Sequence, residues 1–177
     1  MNVAFAMVIC QNLLAQGPLE RKKVTDFISM KIPEDFIAMV EAERNRKYVS
    51  AKEPLALFTN ADRTVDLGIN ETSSAWGAGD LEILKDFYKA NILNLYTEVF
   101  FLQEEIVTID NKPFIAFEFN SKVVDEGGLG RPIAKYTYIL YTLRNEKILL
   151  FNFSAPLRYR QAWQPVAREM MASIRIK

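Results

Sequence analysis

Between Glu98 and Ala155 apolar and polar side chains alternate with a period of two, the repeat of a strand whose successive residues face opposite ways. Ile115, Phe117 and Phe119 stand against Ala116, Glu118 and Asn120, and Leu149, Phe151 and Phe153 against Leu150, Asn152 and Ser154; each set predicts a strand with one buried and one wetter face. From Lys135 to Leu143 the pattern changes. Tyr136, Tyr138 and Leu140 lie on one side and Ile139, Tyr141 and Leu143 on the other, which predicts a central strand covered on both faces. Asp110 to Pro113 and Arg144 to Lys147 are short polar turns, too short for a parallel crossover, so three consecutive segments are expected to form an antiparallel meander.

The flanks extend this plan. A first strand is expected from Phe27 to Ile32, closed by Pro33, which has no N–H to give a ladder. A hairpin follows, Leu55 to Thr59 and Val65 to Glu71, turning at Asn60 to Arg63. The charged stretch from Glu41 to Lys47 reads as a solvated bend, with a helical turn held by i,i+3 pairs such as Glu41 with Arg44 as the alternative. Asp80 to about Tyr96 has helical spacing, with Asp80 as N-cap, Leu81, Leu84, Tyr88, Ile92 and Leu95 inward, and Glu82, Lys85, Asp86 and Lys89 outward. A second helix is expected from Gln161 to Ser173 with an apolar stripe of Trp163, Val166 and Met170, then a short edge strand at Ile174 and Ile176. The order β-β-β-α-β-β-β-α(-β) predicts an α+β fold, a mainly antiparallel sheet of six to seven strands with helices packed on it as an α/β/α sandwich.

The run from Val3 to Cys10 is apolar but shorter than the ~20 residues of a membrane span. It reads as a secretory signal peptide over residues 1–16, cleaved near Ala15 or Gln16, although no basic residue precedes it. The alternative is a retained element that packs on the body of a cytoplasmic protein. Residues 17–26 read as a charged linker and residues 27–177 as a single domain. Export, to the periplasm or the extracellular space, is the localisation expected.

The 22 basic and 22 acidic side chains cancel, which removes a global electrostatic case for nucleic acid. There is no histidine, and Cys10 is the single cysteine, so Ser-His-Asp and Cys-His arrangements and the common zinc sites are excluded from the body. No catalytic residue, metal ligand or cofactor is assigned. The Gly127 to Pro132 stretch lacks the Gly-Lys-Ser/Thr ending of a phosphate loop and reads as a hairpin loop. Glu104 and Glu105 are adjacent on a strand and so face opposite ways; Glu118 could approach one of them, or pair across strands with Lys122 or Lys135. Trp76 and Arg131 are residue types enriched at binding hot spots, and Trp76 reads equally as a cap on the core.

Two further stretches carry a resemblance. Ile32-Pro33-Glu34-Asp35-Phe36 is similar to a P-x-x-F signature after the first strand. The ending from Trp163 to Ile176, a helix running into a strand at Ser173, resembles the Mog/PsbP-type, or PsbP-like, family of α/β/α sandwiches. The resemblance covers Phe27 to Lys177. It implies a domain that acts by binding protein rather than by catalysis, as most members do. The functional expectation is therefore a non-catalytic, exported accessory or adaptor domain whose partner belongs to the cell envelope or the secretion machinery. The alternative is a carrier of a small hydrophobic ligand with a pocket between helix and sheet. A carboxylate-dependent hydrolase ranks third.

Overall fold

The computed structural model describes residues 17–47, 53–73, 77–124 and 131–177. The signal-peptide reading, Cys10, Trp76 and the glycines from Gly127 to Gly130 lie outside the described residues.

Among the described residues ten strands form two antiparallel sheets. The larger runs in the order β3 (Ile37–Ala38), β4 (Ala56–Thr59), β5 (Asp66–Ser73), β9 (Lys147–Pro156), β8 (Ile133–Arg144), β7 (Lys112–Val123), β6 (Glu98–Ile109). The smaller runs β1 (Leu19–Lys23), β2 (Ile28–Pro33), β10 (Arg175–Ile176). Three α-helices lie among the described residues, α1 (Glu41–Lys47), α2 (Leu81–Leu95) and α3 (Arg160–Ala172). The α+β class, the seven-strand main sheet and the terminal edge strand agree with the pattern.

The strand count does not. The meander has four strands rather than three, because Glu98–Ile109 is itself a full strand whose alternation is blurred by a register shift between Phe101 and Gln103. Leu19–Lys23, expected as linker, is strand β1: it pairs with β2 from Leu19↔Pro33 to Lys23↔Ser29, and its charges sit on a sheet edge where they need no burial. Glu41 to Lys47 is a helix, not a bend. Glu43 is buried and ion-paired to Arg63, and Arg44 meets Glu53, so tertiary partners hold what local propensity leaves open.

Both tight turns of the meander are two-residue turns with positive φ, at Asp110 and Asn111 and at Asn145 and Glu146. That handedness matches the twist of paired strands.

The main sheet has two unlike faces. One buries Leu67, Ile69, Phe114, Ala116, Tyr136, Leu140, Phe151 and Phe153 beneath α3 and β2. The other packs Ile115, Phe117, Phe119, Ile139 and Tyr141 under α2, with the Tyr88 ring stacked on Tyr141 at 3.8 Å. Thus β8 is covered on both sides, as its sequence requires. So is much of β7, where Ala116 and Glu118 are buried too. Within α2, Leu84 and Ile92 face the sheet, but Leu95 is 71% exposed because the helix ends there and Tyr96 turns inward instead. Asp80 does not cap α2; its carboxylate accepts the Gly77 N–H and closes the preceding 3-10 turn.

Glu146 carries a left-handed backbone at φ 57°, a conformation that costs a residue with Cβ about 1 kcal/mol. Glu146→Gly is therefore expected to raise unfolding stability by about 1 kcal/mol in a urea titration.

Candidate functional site

Glu118 sits at the centre of β7 and is fully buried. Its Oε1 accepts hydrogen bonds from the Tyr136 hydroxyl at 2.9 Å and Gln164 Nε2 at 2.6 Å. Its Oε2 accepts two from the Arg168 guanidinium, Nε at 3.0 Å and NH2 at 2.8 Å. Gln164 and Arg168 are four apart on α3, so one helix face delivers both. The cross-strand lysines expected as partners are elsewhere: Lys122 pairs with Glu98, and Lys135 opens on the opposite face of the sheet.

Nor do the acids form a catalytic pair. Glu104 points to the α2 side and binds Lys89 at 2.8 Å. Glu105 lies on the Glu118 side but is exposed and accepts from Gln103 Nε2 at 2.7 Å. A general acid or base needs a free oxygen and a path to water. Both Glu118 oxygens are committed.

The tyrosines around this carboxylate are held neutral. Burial, reinforced by the Glu118 charge, raises Tyr136 far above the usual phenol range and pushes Tyr138 up to about 12. The hydrogen bond to Glu118 keeps Arg168 charged.

A second site lies on the opposite face, beyond the end of α2. The strands there change character along a diagonal. Large apolar residues give way to Ser121 on β7, to Thr137 and Lys135 on β8, and to Asn152 and Ser154 on β9. They floor an open cleft of about 310 Å³, walled by Tyr96, Val123 and Ile133. The Asn152 Oδ1 is shielded from solvent and has no hydrogen-bond partner among the described residues. A pocket between helix and sheet was expected to be hydrophobic; this one has a floor of hydroxyls and amide. The signal was present in the alternation, where Asn152 and Ser154 follow Leu150 on one face, but only the strand register shows that three strands switch together.

Arg131 is exposed. Among the described residues no cluster of three or more acid, cysteine or histidine side chains could hold a metal ion, and no helix is long and apolar enough to cross a membrane.

No family model and no curated protein sequence matches the chain. Solved structures do. Cyanobacterial PsbP (CyanoP) from Synechocystis sp. PCC 6803 superposes with a TM-score of 0.63 at 13% identity, over 90% of this chain and 92% of that one. The Ran-binding protein Mog1p of Saccharomyces cerevisiae gives 0.58 at 13% identity, over 90% and 96%.

The chain has the PsbP/Mog1-like fold.

The stretches that carried the resemblance are anchors of this PsbP/Mog1-like core. The Phe36 N–H bonds the Pro33 carbonyl at 3.1 Å, and the Phe36 ring lies 5.6 Å from Trp163 of α3. The Ser173 hydroxyl accepts the Lys31 N–H at 2.7 Å and donates to the Met170 carbonyl at 2.6 Å, fixing the end of α3 to β2.

Replacing Arg168 by Met leaves Oε2 of a buried carboxylate without its donors, with an expected loss of about 2–3 kcal/mol in chemical denaturation. Arg168→Lys, which keeps the charge but not the fork, recovers only part of it. Tyr138 is raised above its ordinary value of 10.0, so below pH 10 its contribution is fully present. Between pH 10 and about 12 the unfolded chain has released a proton that the native chain retains, and stability falls as pH rises. Phenolate absorbance is expected to lag in the native protein, with Tyr136, Tyr138 and Tyr141 ionising only as it unfolds.

Proposed function

We propose that this chain is a non-catalytic accessory domain that works by binding another protein, and that α2 presents the contact. The carrying observation is the outer surface of that helix. Although α2 already buries Leu84 and Ile92 against the sheet, Ile83 is 59% exposed, Phe87 49% and Leu93 48%. An amphipathic helix packed on one side normally turns polar residues outward. Apolar residues kept in water on a rigid helix mark an interaction surface. Acidic and basic groups rim the helix, with Glu82 bridged to Lys85 and Lys89 to Glu104, the arrangement of an apolar centre within a polar margin. Mog1p, which shares the fold, is a Ran-binding protein. That Glu118 spends its oxygens on structure, and that histidine is absent, supports a role without turnover.

The partner we assign is a component of the cell envelope or secretion machinery, presenting an apolar helix or groove to α2. Export is supported by the apolar run from Val3 to Cys10. A second reading, a small-ligand carrier, is favoured by the cleft beyond α2.

Native mass spectrometry of the chain isolated gently from its own source is expected to show a start near Gly17 and a stoichiometric protein adduct. Ile83→Glu with Leu93→Glu is expected to reduce recovery of that adduct at least about tenfold while changing stability by no more than about 1 kcal/mol. An intact Met1 overturns export, and an adduct indifferent to both substitutions overturns the α2 surface.

A further inference from the structure

The cleft between the end of α2 and strands β7, β8 and β9 is built from groups that the fold leaves unused. Ser121 and Thr137 are 4% and 2% exposed and line the open cleft, and Asn152 Oδ1 is shielded and has no hydrogen-bond partner among the described residues. Buried polar groups are nearly always paired, since each one left unmet costs stability. On the floor of a sheet face that is elsewhere Ile, Phe and Tyr, these small polar residues offer the open cleft hydrogen-bonding groups that water or a ligand can meet.

Charge narrows what that occupant is. Lys135 is exposed at the cleft and forms no ion pair among the described residues, whereas Lys122, next in sequence to Lys135's cross-strand neighbour Ser121, is tied to Glu98. The lining holds this one cation and no acid. Val123 and Ile133, directly paired across β7 and β8, supply an aliphatic wall, and the Tyr96 ring faces the same space. At about 310 Å³ the cleft lies at the small end of ligand sites, short of what a long-chain lipid fills.

We propose that this cleft binds a small monocarboxylate that carries a hydroxyl or carbonyl and a short aliphatic group. The carboxylate pairs with Lys135, the polar group is met by Thr137, Ser154 and Asn152, and the aliphatic part lies on Val123 and Ile133. The inference rests on the ligand-carrier reading and is independent of the α2 surface.

The probe is leucate, the hydroxy acid analogue of leucine, compared with its primary amide, each titrated into the full chain with backbone amide shifts as readout. Leucate is expected to move Ser121, Lys135, Thr137, Asn152 and Ser154 and to leave α1 and the β1–β2 ladder in place. The amide, and Lys135→Met with leucate, are each expected to bind at least about tenfold more weakly. Lys135 is exposed, so its replacement does not threaten folding. Thr137→Val, which removes one hydroxyl of the cleft floor, is expected to weaken leucate binding without lowering Tm. Equal binding of acid and amide at the cleft overturns the carboxylate and leaves the carrier reading standing. Shifts that avoid the cleft, or none up to about 10 mM, a ceiling corresponding to under about 3 kcal/mol of binding, overturn both.

Discussion

A carboxylate held out of water has to be met by donors, and those that meet Glu118 come from a neighbouring strand and from a helix about fifty residues on in the chain. Tyr136 reaches it from β8; Gln164 and Arg168 reach down from α3. The hydrophobic contacts of α3, through Trp163, Ala167, Met170 and Met171, would tolerate some sliding over the sheet. A guanidinium that directs two N–H groups at one buried carboxylate oxygen does not, because its geometry is directional. Glu118 thus sets where α3 lies. The Ser173 hydroxyl then fixes where β2 lies, and the smaller sheet follows from both.

The two faces of the main sheet divide their work on this account. Under α3 and β2 the layer is closed: the rings of Phe36 and Phe153 each lie within 6 Å of Trp163, and the buried charge is fully satisfied. Under α2 the layer is closed only as far as Tyr96. Past that point the three strands continue with a mainly polar floor, walled by Val123 and Ile133. A rigid face that needs no further contact supports one that is left incomplete, and a site on a sheet held from behind keeps its geometry without a ligand.

How much of this the chain discloses in advance follows from the range of each interaction. The alternation at Lys135 to Leu143 needs only local pattern, and it placed β8 at the centre. Helix spacing in α2 and α3 was equally plain. What local pattern misreads are the residues whose reason is distant. Glu118 looked like a wet position because alternation records polarity but not a partner on α3. Leu19–Lys23 looked like linker because an edge strand can be charged throughout. Glu41–Lys47 gains its helix from Arg63 and Glu53, which lie beyond any turn of its own. The cleft is subtler still, since Ser121, Thr137, Asn152 and Ser154 are unremarkable one at a time and meaningful only in register.

The register shift between Phe101 and Gln103 has a bearing on how this molecule meets its surroundings. It falls in β6, a twelve-residue outer strand that would otherwise present a long flat ladder of free backbone groups. The extra residue bends the strand, and the ion pairs of Glu98 and Glu104 together with the exposed Glu105 line it with charged groups. The opposite border, β3, is two residues long. Both borders thus discourage a foreign strand from zipping on, which favours recognition by side chains, whose identity a substitution can change without touching the sheet.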